Sequence, residues 1–211
     1  MRLLVAGASG RTGRLFTQLA LDRGHVVTAL VRHPAMLRVT HDHERLRVVH
    51  WDALADVTPP DLVAGHDAVV SLLAPRPRRN GRVYVEGTRH LADGAAAAGV
   101  RRFVVVSSEG AGVDPGALPL AYRLVLRIPV VARLYPDIAI MEREMATRED
   151  LDWTIVRAAI LTNGPRTGAY RVAAGEVVPR GLRLSRADLA EMLLKTTETG
   201  AWVRERVSVA R

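Results

Sequence analysis

The sequence predicts an α/β fold built on a doubly wound parallel sheet with a small C-terminal cap. Short apolar, β-rich runs alternate with helical segments along the first half of the chain, which is typical of parallel strands joined by crossovers. A glycine-rich segment, AGASGRTGR at residues 6–14, lies where the first predicted strand gives way to the first helix. With 211 residues, 48% of them apolar, the chain can bury one sizeable core.

The first half of the chain is predicted to contain five strands and two helices. The strands are expected at residues 2–6, 25–32, 45–50, 67–74 and 101–108, and the helices at 13–23 and 83–99. Gly24 and Gly99 follow the two helices, and glycine commonly ends a helix. This alternation predicts the parallel sheet.

The regular alternation weakens after residue 108. We expect a loop at 109–119, a helical stretch at 120–135 interrupted near Pro129, a helix at 137–150, a strand at 153–157, a turn-rich stretch at 162–172, a helix at 185–198 and a strand at 206–210. We interpret residues 1–211 as a single domain, in which residues 158–184 contribute to a small cap on the substrate side.

Composition excludes several kinds of protein. The chain has no cysteine, which rules out disulfides and thiolate chemistry. No apolar run approaches the roughly 20 residues that a bilayer span requires, and the apolar stretch in MRLLVAGASG is too short for a signal peptide. We therefore expect a cytoplasmic protein with no membrane partner, and we expect no metal site.

The net charge of +8 raises the question of nucleic-acid binding. Lys195 is the only lysine, so nearly all of the positive charge is arginine, as a GC-rich coding sequence would produce. The arginines are scattered apart from short clusters such as Arg101 and Arg102. An anionic small ligand is therefore favoured over nucleic acid.

The glycine-rich segment has the spacing of a dinucleotide site. Gly7, Gly10 and Gly13 form a GxxGxxG pattern between a predicted strand and a predicted helix. Gly7 would permit a sharp exit from the strand, Gly10 would let backbone N–H groups approach a pyrophosphate, and Gly13 would let the helix pack closely on the sheet. The alternative is a plain tight turn without a ligand.

Arg32 distinguishes between the two nicotinamide cofactors. An NAD enzyme commonly has a carboxylate at the end of the second strand, whereas this chain has Val31-Arg32-His33 there and Arg11 in the glycine loop. Guanidinium groups bind a 2′-phosphate that a carboxylate would repel, so NADP(H) is favoured. The alternative for Arg32 is a solvated surface arginine.

Other candidate residues follow later strands, at the edge where open α/β sheets bind ligands. Asp52 could bind the adenine amino group or cap the next segment. Leu73 and Ala74 would line the cofactor, and Ser107 and Ser108 end the fifth strand. Ser108 is our candidate catalytic residue, although a serine at a strand end can also be only a turn former.

Several stretches, in the correct order and over nearly the whole chain, carry a family resemblance. They are GASGRTG, LVR at 30–32, DAVVSLLAP, VYVEGTRHLADGAAAAGVRRFVVVSSEG, LDWTIVRAAILTNGPRTGAYRV and LSRADLAEMLL. With them the chain resembles the atypical short-chain dehydrogenase/reductase superfamily, in particular its NAD(P)H-binding branch of NmrA-like proteins and biliverdin-IXβ or flavin reductases.

The resemblance implies a Rossmann-like fold and a set of cofactor contacts. The glycine motif, with Ser9, Arg11 and Thr12, would contact NADPH together with Arg32 and Ser107. The loop at 157–164, beginning at Arg157, would border the nicotinamide. Ser108 would take the place of the family's active-site serine.

The chain departs from the superfamily at its acid catalyst. Tyr122 has Leu126 where a Tyr-x-x-x-Lys pair would have lysine, Ile138 replaces the family's His or Lys, and Ala158 follows Arg157 where proline is usual. Without lysine to lower a tyrosine pKa, neither Tyr122 nor Tyr135 is expected to be indispensable as a proton donor.

The absence of a lysine-assisted acid catalyst favours acceptors that delocalise the negative charge brought by the hydride. The leading hypothesis is an NADPH-dependent reductase of a quinone- or flavin-like, planar acceptor, with an aromatic polyketide quinone as a candidate that the resemblance suggests. The alternative is a non-catalytic NADP(H)-sensing regulator of the NmrA-like type. No base supports an epimerase or dehydratase, and the oligomeric state, monomer or homodimer, is open.

Overall fold

The structure is a computed structural model that describes residues 1–39, 43–55, 57–75, 82–111, 113, 116, 118 and 120–211. Its strands are β1 (Arg2–Ala6), β2 (Val26–Val31), β3 (Leu46–His50), β4 (Ala68–Ser71), β5 (Arg102–Ser108), β6 (Asp152–Ala158), β7 (Ile160–Thr162), β8 (Arg171–Ala174), β9 (Arg183–Ser185) and β10 (Glu205–Ala210). Its α-helices are α1 (Arg11–Asp22), α2 (Pro60–Val63), α3 (Thr88–Ala97), α4 (Leu120–Leu126), α5 (Pro129–Ala132), α6 (Tyr135–Ala146) and α7 (Arg186–Thr199).

Eight strands form one sheet in the order β3-β2-β1-β4-β5-β6-β10-β8. All neighbours run parallel except β8, which is antiparallel to β10. The prediction of a doubly wound, mainly parallel sheet is therefore confirmed. The strand order reverses between β1 and β4, and open α/β sheets bind ligands at such a switch point.

The inner strands of the sheet, such as β1, β2 and β4, are buried on both faces, as their continuous apolar sequences require, whereas the edge strands β3 and β8 are partly exposed. Along β1, Leu3 and Val5 point into a core shared with α1 and α7. Leu4 and Ala6 point the opposite way, into a core shared with α3 and α6. The period of two in the strand thus gives each helical layer its own apolar contact.

The helical stretch at 120–135 is interrupted as expected. Ile128 has extended backbone angles and Pro129 occupies the first turn of α5, where its missing N–H costs nothing. The helix predicted at 83–99 begins with one π-helical turn, Val83–Gly87, before α3. Such turns are frequent at functional sites.

Three short strands in the last third were not predicted. β7 pairs with β9, which extends one residue past the predicted cap at 158–184, in a separate two-stranded sheet, whereas β8 extends the main sheet at its edge. Each is three or four residues long and surrounded by turn residues, so its own sequence carries little periodicity. The pairing partners supply the strand conformation instead.

Candidate active site

The glycine loop closes tightly between β1 and α1. Gly7 has φ +77°, and a Cβ there would lie 2.5 Å from the carbonyl oxygen of Leu72. A Cβ on Gly13 would overlap the carbonyl oxygen of Gly7. These contacts fit the sharp strand exit and the close helix packing that the spacing predicts.

Gly10 differs from its two neighbours in the motif. Its backbone angles, φ −68° and ψ 168°, are open to any residue, and a Cβ would meet only the carbonyl oxygen of Gly7, at 3.1 Å. Gly10 caps α1 without a side-chain hydrogen bond, and the first turn of α1 has no acidic residue. The first N–H groups of the helix therefore receive no hydrogen bond from a capping side chain, and they carry the positive end of the helix dipole.

Positive charge gathers beside this helix end. Arg11, the first residue of α1, is exposed, while Ser9 and Thr12 are half-buried. Arg186, the first residue of α7, donates to Asn163 Oδ1 at 2.7 Å. Burial and the nearby charge of Arg11 lower the pKa of Arg186 below its ordinary value. The sequence did not single out Arg186, because only the packing of α1 on α7 brings it here.

Arg32 lies directly after β2 and is half-buried. It forms no ion pair within the part of the chain that the structure describes, which leaves its guanidinium open to a ligand. Asp52 Oδ1 accepts a hydrogen bond from the backbone N–H of Leu54 at 3.1 Å. This bond fits the capping alternative, and the contact of Asp52 with adenine stays a prediction.

Leu73 and Ala74 follow β4, which ends at Ser71, earlier than predicted. Leu73 is half-buried, and its backbone nitrogen borders the glycine loop, 3.2 Å from where a Cβ on Gly7 would lie. Ala74 is exposed. Both positions agree with an apolar wall beside the loop, which stays a prediction.

Ser108 ends β5 and meets two tyrosine side chains. Its Oγ lies 2.9 Å from the hydroxyl of Tyr122 in α4 and 2.7 Å from the hydroxyl of Tyr135 in α6, and the two tyrosine oxygens are 3.4 Å apart. We call these three residues the hydroxyl cluster. No sequence pattern indicates this cluster, because the three residues lie on three separate elements and lack the spacing of a known motif.

Gly110 makes room for the hydroxyl cluster. A Cβ at this position would lie 2.8 Å from Cε1 of Tyr135 and 3.1 Å from Cε1 of Tyr122. Burial raises the pKa of Tyr122 well above its ordinary value, so its phenol is neutral and keeps its proton. Partial burial raises the pKa of the half-buried Tyr84, in the π-helical turn, to about 12, and the nearby Tyr135 contributes to the shift. The cluster is thus a group of neutral O–H donors.

Ser107 and Arg157, which are register partners on β5 and β6, both bind the buried Glu142. Ser107 donates to Glu142 Oε1 at 2.5 Å, and Arg157 donates to the two carboxylate oxygens from Nε and Nη2. Arg206 lies 3.4 Å from the same carboxylate. The side chains of Ser107 and Arg157 are therefore committed to this network, and their predicted contact with the cofactor stays a prediction.

Glu109 is a buried acid beside the hydroxyl cluster. The side chain is fully buried; Oε1 accepts from the backbone N–H of Val178 at 3.1 Å, and Oε2 has no hydrogen-bond partner among the residues that the structure describes. Burial raises the pKa of Glu109 to about 7, opposed by the Val178 N–H and the charge of Arg171. The negative form of Glu109 in turn helps to raise the pKa of Tyr122.

Glu109 is expected to make stability depend on pH. The folded chain binds the Glu109 proton more tightly than the unfolded chain, in which this glutamate titrates near 4.5. The contribution of this proton to the free energy of unfolding is therefore present at pH 4 and is lost as the pH rises through 7. Glu109→Gln should therefore be more stable than the wild type at pH 8, by about 1–2 kcal/mol, because it removes a buried charge. Urea unfolding at pH 5 and pH 8 measures the difference.

The exposed Glu176 provides the matched control, since it lies two residues before Val178 in the same segment. Glu176→Gln should keep the wild-type dependence of stability on pH. If stability depended on pH equally in the Glu109 and Glu176 variants, the assignment of that dependence to Glu109 would be wrong.

Comparison with known proteins agrees with this arrangement. The model of a family described as NAD(P)H-binding matches residues 7–199. A 3-diazoavenalumate denitrifying reductase of a Streptomyces species is 33% identical over 205 residues, covering 86% of this chain and 65% of the reductase. The chain thus spans slightly less than two thirds of that relative.

Solved structures share the fold over the whole chain. A provisionally assigned exported protein from Burkholderia pseudomallei is 29% identical, with a TM-score of 0.78 and complete coverage of both chains. A provisionally assigned NADH-flavin reductase from Streptococcus pneumoniae is 24% identical, with a TM-score of 0.78, and covers 100% of this chain and 99% of its own. Within the described residues, no helix is long and apolar enough to cross a bilayer. The cytoplasmic location stays a prediction.

Proposed function

This chain belongs to the NAD(P)H-binding family, in the atypical branch of the short-chain dehydrogenases/reductases, and from that premise we propose that it is an NADPH-dependent reductase of a planar, conjugated acceptor such as a quinone or flavin. The observation that carries the proposal is the hydroxyl cluster at the carboxyl edge of the sheet, a set of neutral donors without a lysine. The proposed substrate is a small molecule, with no nucleic-acid partner.

The residues at the glycine loop suit a dinucleotide phosphate. The uncapped end of α1 offers backbone N–H groups to a pyrophosphate, and Gly10 leaves the space before them empty of side chain. Arg32 and Arg11 add positive charge, which favours the 2′-phosphate of NADP(H) over the free hydroxyl of NAD(H). We add Arg186 to the residues that would make this end of the site attractive to anions.

Reduction of a quinone-like acceptor requires a hydride and a proton. Bound NADPH would supply the hydride. Ser108, Tyr122 and Tyr135 carry three O–H groups, and the two shorter contacts among them use two as donors. The remaining O–H has only the long 3.4 Å contact between the two tyrosines to satisfy it within the cluster, and it is the one that would donate to the acceptor oxygen. A conjugated acceptor spreads the arriving charge over its ring system, so this hydrogen bond from a weak acid is sufficient.

Consumption of NADPH with a panel of quinones and flavins tests the proposal. We expect oxidation of NADPH that depends on the acceptor, followed at the absorbance of the reduced nicotinamide. Tight NADPH binding without turnover of any acceptor would favour the alternative, a redox-sensing regulator.

Arg32→Asp tests the choice of cofactor. The wild type should bind NADPH at least about tenfold more tightly than NADH, a difference of about 1.4 kcal/mol, because the unpaired guanidinium can bind the 2′-phosphate. The aspartate variant should lose or reverse that preference, as measured by titration of both cofactors.

Arg47→Asp is the control, because Arg47 is an exposed arginine on the neighbouring strand β3. This variant should keep the preference for NADPH. Equal affinity of the wild type for the two cofactors would show that Arg32 has a different role.

A further inference from the structure

An exposed apolar stripe lies on the outer side of residues 120–133. Leu120, Leu124 and Ile128 are 68%, 55% and 47% exposed. Their spacing of four residues places the first two on one side of α4, and the stripe continues past the end of the helix. On the inner side of α4, Tyr122 is buried and contacts Ser108. The segment therefore has the hydroxyl cluster behind it and solvent in front of it.

The same segment is strongly basic. Residues 120–136, LAYRLVLRIPVVARLYP, contain three arginines and no acidic residue. Arg123, Arg127 and Arg133 are all exposed, and none forms an ion pair with another described residue. Exposed apolar side chains interleaved with unpaired cations are the chemistry of a segment that lies in the interface of an anionic membrane.

We propose that the outer side of residues 120–133 binds the surface of an anionic lipid bilayer. The leucine and isoleucine side chains would enter the boundary between headgroups and acyl chains, and the three arginines would contact lipid phosphates. Because α4 also carries Tyr122, docking would place the hydroxyl cluster beside the bilayer, within reach of an acceptor dissolved in it. The binding itself is independent of the proposed reductase activity; only the delivery of a lipid-soluble acceptor rests on it.

Charge argues against the two other kinds of occupant. A second copy of this chain, packed by the same face, would bring the three arginines toward their own counterparts. A nucleic acid would pair with the arginines and leave Leu120 and Leu124 against water or phosphate. The expectation of no membrane partner rested on the absence of a span and does not bear on surface binding.

Sedimentation of the full chain with lipid vesicles tests the proposal. We expect a bound fraction at least about tenfold higher on phosphatidylcholine vesicles that contain phosphatidylglycerol than on phosphatidylcholine alone, and a decrease with salt because the arginine contacts are screened. Equal binding to the two kinds of vesicle, or none to either, would overturn the proposal.

Two variants and two matched controls locate the surface. Leu124→Glu and Arg127→Glu should each lose most of the binding to anionic vesicles. Val57→Glu, at a side chain that is 67% exposed outside the segment, and Arg47→Glu, on β3, should keep it. If the control variants lost binding to the same extent, vesicle binding would depend on net charge alone, and the proposal would be overturned.

Two further measurements separate the alternatives. Oxidation of NADPH with a water-soluble quinone should be unchanged in Leu124→Glu, so that a failure of the reductase proposal is seen independently of membrane binding. A concentration-dependent dimer in size-exclusion chromatography that Leu124→Glu dissolves, without vesicle binding by the wild type, would assign the surface to a second copy and overturn the proposal.

Discussion

Gly10→Val is expected to abolish NADPH-dependent turnover in a chain that still folds. The φ and ψ of Gly10 suit any residue, and the space around its missing Cβ is open apart from the carbonyl oxygen of Gly7. The valine side chain would therefore fill the space before the N-terminus of α1, and the fold would have to accommodate only a slight shift between its Cβ and the Gly7 oxygen. NADPH affinity should fall at least about 100-fold, or about 2.7 kcal/mol, as measured by titration.

Leu15→Val is the control, since it places a β-branched residue at an exposed position of the same helix. It should bind NADPH as the wild type does, and circular dichroism should show both variants folded. Gly10→Ala, with a Cβ 3.1 Å from the Gly7 oxygen, should lie between the wild type and the valine variant. Wild-type affinity in Gly10→Val would mean that the glycine loop does not hold the phosphates.

The glycine loop could be predicted because its physics is local. Gly7 needs a positive φ and Gly13 needs a missing Cβ, and both needs arise within a few residues at one strand-to-helix junction. The parallel sheet was predictable for a similar reason, since buried parallel strands are continuous apolar runs. The position of Arg32 was predictable from the end of β2, because Arg32 directly follows that strand.

The hydroxyl cluster could not be predicted, because its contacts cross the chain. Ser108 was identified from its position at a strand end, but its neighbours come from α4 and α6, whose packing depends on the missing side chain of Gly110. The role of Glu142 could not be predicted for the same reason, because its contacts also cross the chain. Its sequence, MEREM, reads as an ordinary helix surface, and only the sheet brings Ser107 and Arg157 to it.

Ser108→Ala is expected to slow turnover of the best acceptor by about 10- to 100-fold, or about 1.4–2.7 kcal/mol. Ser108 makes both of the shorter contacts in the cluster, so its loss breaks both and leaves two tyrosine hydroxyls 3.4 Å apart. Tyr122→Phe and Tyr135→Phe should each change the rate by only a few-fold. Each removes one O–H and one short contact, and the two hydroxyls that remain still have one proton to donate.

Steady-state rates and NADPH titrations of the three variants measure this order. The double variant Tyr122→Phe/Tyr135→Phe leaves Ser108 as the cluster's remaining donor and should lose more than the two single variants together, because no second hydroxyl orients the serine. Since burial raises the pKa of Tyr122, its ionisation should not limit the rate at neutral or mildly alkaline pH. A loss of about 10⁴-fold in either single tyrosine variant, with NADPH binding intact, would identify that tyrosine as a dedicated acid. With such an acid, the enzyme could also reduce an ordinary ketone.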